Sequence, residues 1–589
     1  MSGDLRAFLP AIDAPPEIEA WLRRTMQTEP AHRFFSAADA AWALAKLPST
    51  VGASATFRPQ KDEAIWAEDT IRIHDPNQTR RVGTQGDDAT TPSDIIARPV
   101  AHEDRPPFPK NWKRDWIPRR HLHGAGLALF GLRTNALVGR ERERDALWQQ
   151  LHQCVGNKTA RLVVIEGPDG VGKSTLVHWM SERAYELGQA QTICFPSVDS
   201  GSSIDRLGAA ISRQLRLEGL QRPEAVATVH ASLRLLGVDD EQAAIALVQL
   251  ARPSDTAPAD SGMKVHFATL GERLTLLVWY LSKLAARRPL IVIADDLNDD
   301  ATAREAIQLM LERRAGPILC LTTTRLHQDT THNGSEAVAR LREHDRAATL
   351  SLEPLSGQDR TALLRELLGL DPALASRVES ETGGNPQFAV QLVGHWIAEG
   401  RLVPGEQGFK LRGDTRVRAP TTMMDLWTVR LEALANDESD QAMYALELAA
   451  TFGDVVPQSP WKKALGFVNL SPPTELLEAM ARLRLVIEDS GSQTIRFAHP
   501  MFRAAILRRA ERAGRDKQWA SHAADALSQG KRTVRLRAEL LAKAGRLQEA
   551  LAPLARAIEV EIDTGTRGGA QALHAIREEI IEKLSLGPR

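Results

Sequence analysis

The spacing of apolar and polar residues predicts alternating strands and helices over the middle of the chain. Short apolar runs that read as buried strands occupy residues 162–165, 191–195, 290–294, 318–322 and 349–352. Sequence with helical spacing of apolar residues lies between consecutive runs. Because strands that alternate with helices form parallel sheets, we expect residues 131–355 to form a doubly wound α/β domain.

A long insertion separates the second and third predicted strands. Helical spacing fills it in stretches near residues 204–217, 225–251 and 265–286. A segment of this length is too long for a loop inside a compact domain, so we expect helices there.

The rest of the chain is predicted to be mostly helical, which makes the fold multidomain, α/β plus all-α. Residues 1–48 contain two short amphipathic helices, and residues 49–130 have the composition of a mostly disordered linker. We expect a helical lid over 356–415, three helices with a β-hairpin over 416–512, and Ala- and Leu-rich helices over 513–589.

Composition and charge argue against several classes of function. The formal net charge is −1 at pH 7, so no strong field attracts nucleic acid or an anionic membrane. The 3 cysteines are widely spaced and suggest neither a metal pair nor a disulfide framework. The N-terminal residues lack the pattern of a signal peptide, and no apolar run is long enough to span a bilayer. We therefore expect a cytoplasmic protein that binds neither nucleic acid nor membrane.

One local segment has a composition that could allow nucleic-acid binding. Residues 110–123 interleave basic side chains with Trp112 and Trp116, a combination that could stack nucleic-acid bases. The alternative is a linker segment that packs its tryptophans on the following domain, and the neutral overall charge favours this alternative.

The chemistry of the chain concentrates directly after the first strand. The sequence there fits G-x-x-x-x-G-K-[ST] between a strand and a helix, which is the phosphate-binding P-loop. Its residues are Gly167, Pro168, Asp169, Gly170, Val171, Gly172, Lys173, Ser174 and Thr175. Loop amides and the helix N-terminus form an anion nest, Lys173 reaches the β- and γ-phosphates, and the Ser174 hydroxyl binds Mg²⁺. An ordinary glycine-rich turn is the alternative, but the complete motif favours a site for ATP or ADP with Mg²⁺.

The glycines of the motif have a predicted purpose of their own. A Cβ atom at Gly167, Gly170 or Gly172 would hold the backbone away from a phosphate, so we expect all three to make room for the ligand.

Two further strand ends carry candidate catalytic residues. Asp295 and Asp296 follow the third strand, the Walker B pattern, in which Asp295 would hold Mg²⁺ through water. Asp296 would orient or deprotonate the attacking water. The fourth strand ends in threonines and Arg325, which could sense a γ-phosphate together with Lys173, although a surface salt bridge is the alternative for Arg325.

Taken together, residues 131–512 resemble the STAND class of AAA-like signalling ATPases, which combine a P-loop domain, a lid and a winged helix. The family's motif matching Val138, Gly139, Arg140 and Glu141 lies near the adenine, and the proline matching Pro386 in Gly384-Asn385-Pro386 packs by the base. The resemblance further implies that His499 contacts the ADP β-phosphate. The sequence departs from the family at residues 297–300, which lack the tryptophan that often follows Walker B. This departure makes ATP hydrolysis less certain than ATP binding.

Both ends of the chain resemble other families. Residues 16–22 and 29–38 are similar to the last two helices of a bacterial Ser/Thr protein kinase domain. The glycine-rich loop, the HRD loop and the DFG motif of kinases are missing from this sequence, so we expect a kinase remnant without kinase activity. An unrelated helical hairpin is the alternative.

Residues 540–551 resemble one tetratricopeptide-like helix pair, although at least three repeats are normally needed for a solenoid.

The resemblance implies a nucleotide-dependent switch that ADP holds off and ATP turns on. We expect slow ATP hydrolysis, an ATP-dependent homo-oligomer, and protein partners bound through the C-terminal and insertion helices. The alternative is a DNA-binding regulator that uses the winged helix. Its third helix, near 473–483, carries Glu475, Glu478 and Arg482, and this acidic balance favours the switch.

Overall fold

The computed structural model describes residues 16–27, 33–47, 106–113, 137–195, 203–252, 267, 269–298, 300–325, 333–412, 422–437, 439–483, 485–489, 493–528, 530, 533–563 and 567–585. They belong to two units, Met1–Pro107 and Phe108–Arg589.

The described part of the first unit contains the two helices that the apolar spacing predicts. These are α1 (Pro16–Thr25) and α2 (Ala37–Ala45). The Ser36 hydroxyl accepts the Asp39 backbone N–H and caps α2. The indole of Trp21 donates to the Ala40 carbonyl at 2.7 Å, so the two helices pack against each other.

A five-stranded sheet organises the N-terminal part of the second unit. Its strands pair in parallel in the order β2-β3-β4-β1-β5. They are β1 (Arg161–Gly167), β2 (Gln191–Phe195), β3 (Leu290–Ala294), β4 (Ile318–Arg325) and β5 (Ala347–Ser351). All five lie where the apolar runs predict them, and β4 continues to Arg325, which pairs opposite Gly167.

Helices cover both faces of the sheet because alternate residues of each strand point to opposite sides. Val163 and Ile165 face one core, and Leu162 and Val164 face the other. Helix α3 (Glu141–Asn157) precedes β1. Apart from the insertion between β2 and β3, the helices that connect the strands are α4 (Lys173–Glu186), α9 (Ala301–Glu312) and α10 (Asn333–Arg342).

The predicted insertion is helical and belongs to the sheet domain. It consists of α5 (Ser203–Leu215), α6 (Arg222–Leu235), α7 (Glu241–Ala251) and α8 (Leu270–Arg287). Buried residues from all four helices, such as Leu207, Val229, Leu247 and Leu277, share one apolar core with Leu162 of β1.

The next segment contains the predicted helices and also a β-hairpin that the sequence analysis missed. It comprises α11 (Gly357–Thr361), a π-helical turn over Ala362–Leu367, α12 (Pro372–Thr382), α13 (Pro386–Ala398), β6 (Leu402–Gly405) and β7 (Gly408–Leu411). The two strands have only 4 residues each, too short for a clear alternation of apolar and polar positions.

Helices and a small antiparallel sheet follow. They are α14 (Met423–Asp437), α15 (Asp440–Thr451), β8 (Val455–Pro457), α16 (Gln458–Phe467), α17 (Thr474–Arg482), β9 (Val486–Asp489), β10 (Thr494–Phe497) and α18 (Pro500–Arg512). The predicted hairpin is β9–β10, but it is part of a three-stranded sheet in which β8 pairs with the other edge of β10. The sequence analysis predicted three helices here and missed β8, α16 and α18.

The C-terminal helices continue the same core. They are α19 (Asp516–Ala526), α20 (Val534–Lys543), α21 (Leu547–Asp563) and α22 (Arg567–Ser585). One cluster of buried apolar residues extends from Trp427 in α14 to Ile580 in α22, so these helices pack against the preceding ones. Within the described residues, no helix has both the length and the apolar character needed to cross a bilayer.

Candidate nucleotide-binding site

The P-loop, residues 167–175, connects β1 to α4 as predicted, but its glycines serve different purposes. A Cβ on Gly167 would lie 2.4 Å from the Leu352 carbonyl oxygen, and one on Gly170 would lie 2.8 Å from Asn385 Oδ1. Only at Gly172, with φ +100°, would a Cβ meet open space. At Gly167 and Gly170 the protein's own atoms thus already favour glycine, and the expectation that all three glycines make room for phosphate stays a prediction.

The ammonium group of Lys173 lies over the loop. It is 8% exposed and donates to the carbonyl oxygens of Gly167 at 2.8 Å and Pro168 at 2.9 Å. The Asp169 carboxylate lies 3.9 Å away. Since these partners belong to the loop that would receive the phosphates, the cation is in place to exchange them for phosphate oxygens.

The remaining loop residues divide between core and solvent. Val171 is buried in the core that α3 and α4 share with β1, and it holds the loop against the sheet. Pro168, Asp169 and Thr175 are exposed.

Ser174 and Asp295 meet across the P-loop and the end of β3. The Ser174 hydroxyl donates to both carboxylate oxygens of Asp295, at 2.9 and 3.1 Å, and the Thr323 hydroxyl donates to Oδ1 as well. A hydroxyl and a carboxylate at one point form an oxygen donor set that fits Mg²⁺. No group of three or more His, Cys, Asp or Glu side chains that could hold a metal occurs in the described part of the chain. A P-loop magnesium ion would take its remaining ligands from phosphates and water.

Asp296 is held in an unusual backbone conformation beside Asp295. Its φ is +51°, and its backbone N–H donates to the Thr323 hydroxyl at 3.0 Å. Non-glycine residues adopt this conformation rarely, and often at functional sites, although Asp and Asn tolerate it best. The turn after β3 is thus tied to the end of β4.

The threonines at the end of β4 form separate contacts. Thr323 bonds to Asp295, as described, whereas Thr324 accepts a hydrogen bond from Arg342 Nη2 at 3.1 Å. Arg342 also forms an ion pair with Glu166 at 2.9 Å. The backbone of Arg325 lies opposite Gly167, but its side chain lies outside the described part of the structure. Sequence reasoning missed Arg342 and Glu166, because a salt bridge between distant elements leaves no local pattern.

Arg140 links the loop to the segment that follows the sheet. Its side chain is 6% exposed and donates to the carbonyl oxygens of Val171 and Glu353. At Gly139, a Cβ would fall on the Asp359 carboxylate of α11, and Val138 packs against the core of α12 and α13. These three residues therefore lie between the P-loop and the helices that follow the sheet.

The N-terminus of α13 lies directly on the P-loop. Asn385 Nδ2 donates to the Asp169 carbonyl at 2.8 Å, and the Gln387 N–H donates to the Gly170 carbonyl at 3.2 Å. Pro386 is the first residue of the helix, where its missing N–H leaves no bond unmade. Thus the Gly384-Asn385-Pro386 turn is brought next to the loop.

His499 is not among the residues that contact the loop. Its described contacts are Gln391 Nε2, 3.5 Å from its Nε2, and the ring of Trp427 at 5.0 Å. It occupies the N-cap position of α18 without a capping hydrogen bond. Burial, aided by the nearby Arg430 charge, lowers the pKa of His499 to about 4, so the imidazole is neutral at pH 7.

The aromatic segment before the domain is a structural contact. Trp112 is 8% exposed and lies in the core beside Trp148 and Trp179. Its indole donates to Asp145 at 2.7 Å, and the Arg144 guanidinium lies over its ring at 5.1 Å. The preference for intramolecular burial over base stacking is confirmed for Trp112, while Trp116 lies outside the described residues.

Comparison with known proteins identifies the domain that holds this site. Residues 136–321 match the family described as AAA ATPase domain, and no curated protein matches the chain. Similar solved structures include the Aeropyrum pernix ORC2 protein in ADPNP-ADP complexes, with 16% identity over 65% of this chain and 98% of that chain, and a TM-score of 0.30. Cdc6p from Pyrobaculum aerophilum has 13% identity over 66% of this chain and 98% of its own, with a TM-score of 0.30. Drosophila ORC bound to DNA has 14% identity over 68% and 96%, with a TM-score of 0.28. The P-loop, the Walker B carboxylates and strands β1, β2 and β3 thus lie in the AAA ATPase domain that residues 136–321 match.

Proposed function

We propose that the chain binds ATP and ADP with Mg²⁺ and acts as a STAND-class signalling switch, off with ADP and on with ATP. The observation that supports this proposal is the contact between the N-terminus of α13 and the P-loop. Two hydrogen bonds, from Asn385 to Asp169 and from Gln387 to Gly170, join a helix outside the sheet domain to the loop expected to hold the phosphates.

Each site residue has a role in this proposal. Lys173 exchanges its loop carbonyl partners for β- and γ-phosphate oxygens, which are stronger acceptors because they are charged. Ser174 and Asp295 hold Mg²⁺, and the ion neutralises phosphate charge when bound. Asp296 orients or deprotonates the attacking water, which gives slow hydrolysis that resets the switch. Arg325 remains the candidate sensor of the γ-phosphate.

A switch needs contacts that differ between its two states. One turn beyond Gln387 on α13, the side chain and carbonyl of Gln391 accept hydrogen bonds from Arg430 of α14, at 2.7 and 3.2 Å. Burial lowers the pKa of Arg430 to about 10, so it stays cationic at pH 7. Movement of the P-loop on nucleotide exchange would therefore displace α13 and, through Arg430, the core that begins at Trp427. In this arrangement His499 influences the switch through its contact with Gln391. It does not touch the nucleotide while the lid is in this position.

The surrounding segments complete the proposal. Residues 356–415 are the lid, residues 416–512 a winged helix used for intramolecular contact, and residues 513–589 tetratricopeptide-like helices that bind a protein partner. Opening of the lid in the ATP state permits homo-oligomerisation. Residues 1–48 are a kinase remnant without activity, joined by the linker 49–130.

Replacing Lys173 by Ala tests the nucleotide site. Loss of the cation should weaken ATP binding at least tenfold, about 1.4 kcal/mol, without unfolding the protein. Nucleotide affinity is measured by titration with a fluorescent ATP analogue, and light scattering follows the oligomer with ATP or with ADP. Replacing Lys158, a lysine at the end of α3, by Ala provides the control for a lost positive charge.

Two results would count against the proposal. Equal ATP affinity of the folded Lys173→Ala protein and the wild type would remove the P-loop assignment. Tight nucleotide binding with the same oligomeric state in ATP and in ADP would support the nucleotide site but contradict the proposed switch.

A further inference from the structure

A basic groove lies between α14 and α18, away from the P-loop. Its volume is about 350 Å³, at the lower end of the range for small-ligand sites. Leu431 and Ala505, both buried in the core, form its floor. The charged and polar side chains of its walls are Thr428, Glu432, Arg508, Arg509, Arg512 and Arg515.

A buried carboxylate orients two of these arginines. Glu447 of α15 is 0% exposed and accepts from Arg515 Nε and Nη2 at 2.9 and 2.8 Å. Arg509 and the Trp519 indole also donate to it. Because one carboxylate faces two guanidinium groups, this buried centre retains positive charge, and both arginine side chains remain about one quarter exposed, at 27% and 24%.

The other two arginines have no counter-ion in the described part of the chain. Arg508 and Arg512 are exposed and make no hydrogen bond or ion pair with any described residue. They are four residues apart on α18, so they lie on the same face of the helix. The carboxylates near this face other than Glu447 are Glu432 on the groove wall, Glu511 beside Arg512 on α18, and Asp440, which lies 3.9 Å from Arg509.

The chemistry of the groove selects a ligand class. Guanidinium groups bind oxyanions through paired N–H donors, and clusters of arginines recognise phosphorylated or acidic motifs. The residues that line the groove include four arginines and one carboxylate, Glu432, so the lining has an excess of cationic donors. The small concave shape suits one phosphoryl group better than an extended backbone. We propose that this groove binds the phosphoryl group of a phosphorylated serine or threonine in a protein segment.

This inference goes beyond nucleotide binding and does not depend on it. A DNA duplex would present a row of phosphates and would need an extended basic surface rather than one small groove. A phosphoserine side chain requires only the space between the arginines.

The experiment uses the full-length chain with Lys173→Ala, so that the P-loop does not contribute phosphate binding. The probe is N-acetyl-O-phosphoserine N-methylamide, followed by ³¹P relaxation on titration with protein. The unphosphorylated serine compound and the corresponding glutamate compound serve as ligand controls. Arg508→Ala combined with Arg512→Ala is compared with Arg340→Ala combined with Arg496→Ala, which removes the same charge from exposed positions elsewhere.

We expect saturable binding of the phosphoserine probe and no binding of the serine compound. The Arg508/Arg512 double variant should bind at least tenfold more weakly, and the Arg340/Arg496 variant within twofold of the parent, with both retaining the parental circular dichroism spectrum. Absence of saturable binding to the parent chain overturns the proposal, as does equal weakening by both double variants. Equally tight binding of the glutamate compound overturns the phosphoryl assignment. Binding of a DNA duplex that requires Arg508 and Arg512, without binding of phosphoserine, replaces the proposal by a nucleic-acid contact.

Discussion

The carboxylate of Asp295 connects the two motifs that the sequence placed 121 residues apart. It accepts hydroxyl hydrogens from Ser174 and from Thr323, so its position is defined by the start of α4 and by the end of β4. Side chains that are held by such partners lose little conformational entropy when a ligand binds. The oxygen donors for Mg²⁺ are therefore preorganised.

Asp296 allows binding and hydrolysis to be separated by one substitution. Its φ of +51° is tolerated by Asn, so Asp296→Asn preserves the backbone and the bond from its N–H to Thr323. The variant loses the negative charge that would orient or deprotonate water. We expect ATP affinity to stay within about threefold, while turnover in a phosphate-release assay falls by roughly two orders of magnitude.

Asp300→Asn provides a matched control, because Asp300 is a neighbouring carboxylate that caps α9. It should leave turnover nearly unchanged. If Asp296→Asn hydrolyses ATP at the wild-type rate, the base is another residue. If the wild type shows no turnover above background, the protein binds ATP without hydrolysing it.

At the scale of elements, α13 has one residue that serves both the helix and the P-loop. Asn385 Oδ1 accepts the Phe388 N–H at 3.0 Å and caps the helix, while Nδ2 donates to the Asp169 carbonyl at 2.8 Å. A serine can replace the cap but is too short to reach Asp169. The two functions of Asn385 can thus be measured separately.

Asn385→Ser should speed the release of ADP without unfolding α13. Loss of one neutral hydrogen bond costs about 0.5–1.5 kcal/mol, which corresponds to a two- to tenfold faster dissociation if the closed lid retains the nucleotide. Stopped-flow displacement of a fluorescent ADP analogue measures this rate. Asp371→Ser, a cap exchange on α12 within the same segment, should leave the rate unchanged. Identical rates in the wild type and Asn385→Ser would show that this contact does not hold the lid.

On the scale of the whole molecule, the helices from α14 to α22 share one apolar core. Apolar residues from Trp427 to Ile580 form a single core, and Glu447 ties α15 to α18 and α19. In addition, α22 packs against α10, the helix that ends in Arg342. The C-terminal helices therefore contact the sheet domain through α10 as well as through the chain connection at the lid.

Two truncations test where the N-terminal limit of the second unit lies. A chain that starts at residue 106 keeps Phe108 and Trp112, which pack on Trp148 and Trp179 at ring distances of 5.2 and 5.0 Å. A chain that starts at residue 114 loses both, so it should unfold at lower denaturant, with a loss of about 3–5 kcal/mol. The chain from residue 106 should bind ATP within about twofold of the full protein, because none of the residues proposed to hold the phosphates lies before it. Equal stability of the two truncated proteins in chemical denaturation would contradict this assignment.

The local sequence predicted those parts of the fold that depend on neighbours in the chain. Strands β1, β3 and β4 are continuous apolar runs because they are buried on both faces, and this pattern is visible without a structure. The P-loop was also predicted, since its glycines, lysine and hydroxyls lie within nine consecutive residues. The short strands β6, β7 and β8 were missed because three or four residues show no distinct period.

Contacts between distant segments were decided only by the tertiary structure. Gly170 requires glycine because Asn385, far along the chain, occupies the space of a Cβ, and Arg342 meets Glu166 and Thr324 across the sheet. Glu447 appears in the sequence as one more helical carboxylate, yet it is fully buried among two arginines and an indole. The physical reason is that hydrophobic periodicity reports which face of an element is buried, whereas hydrogen bonds and ion pairs depend on how the elements are arranged around that core.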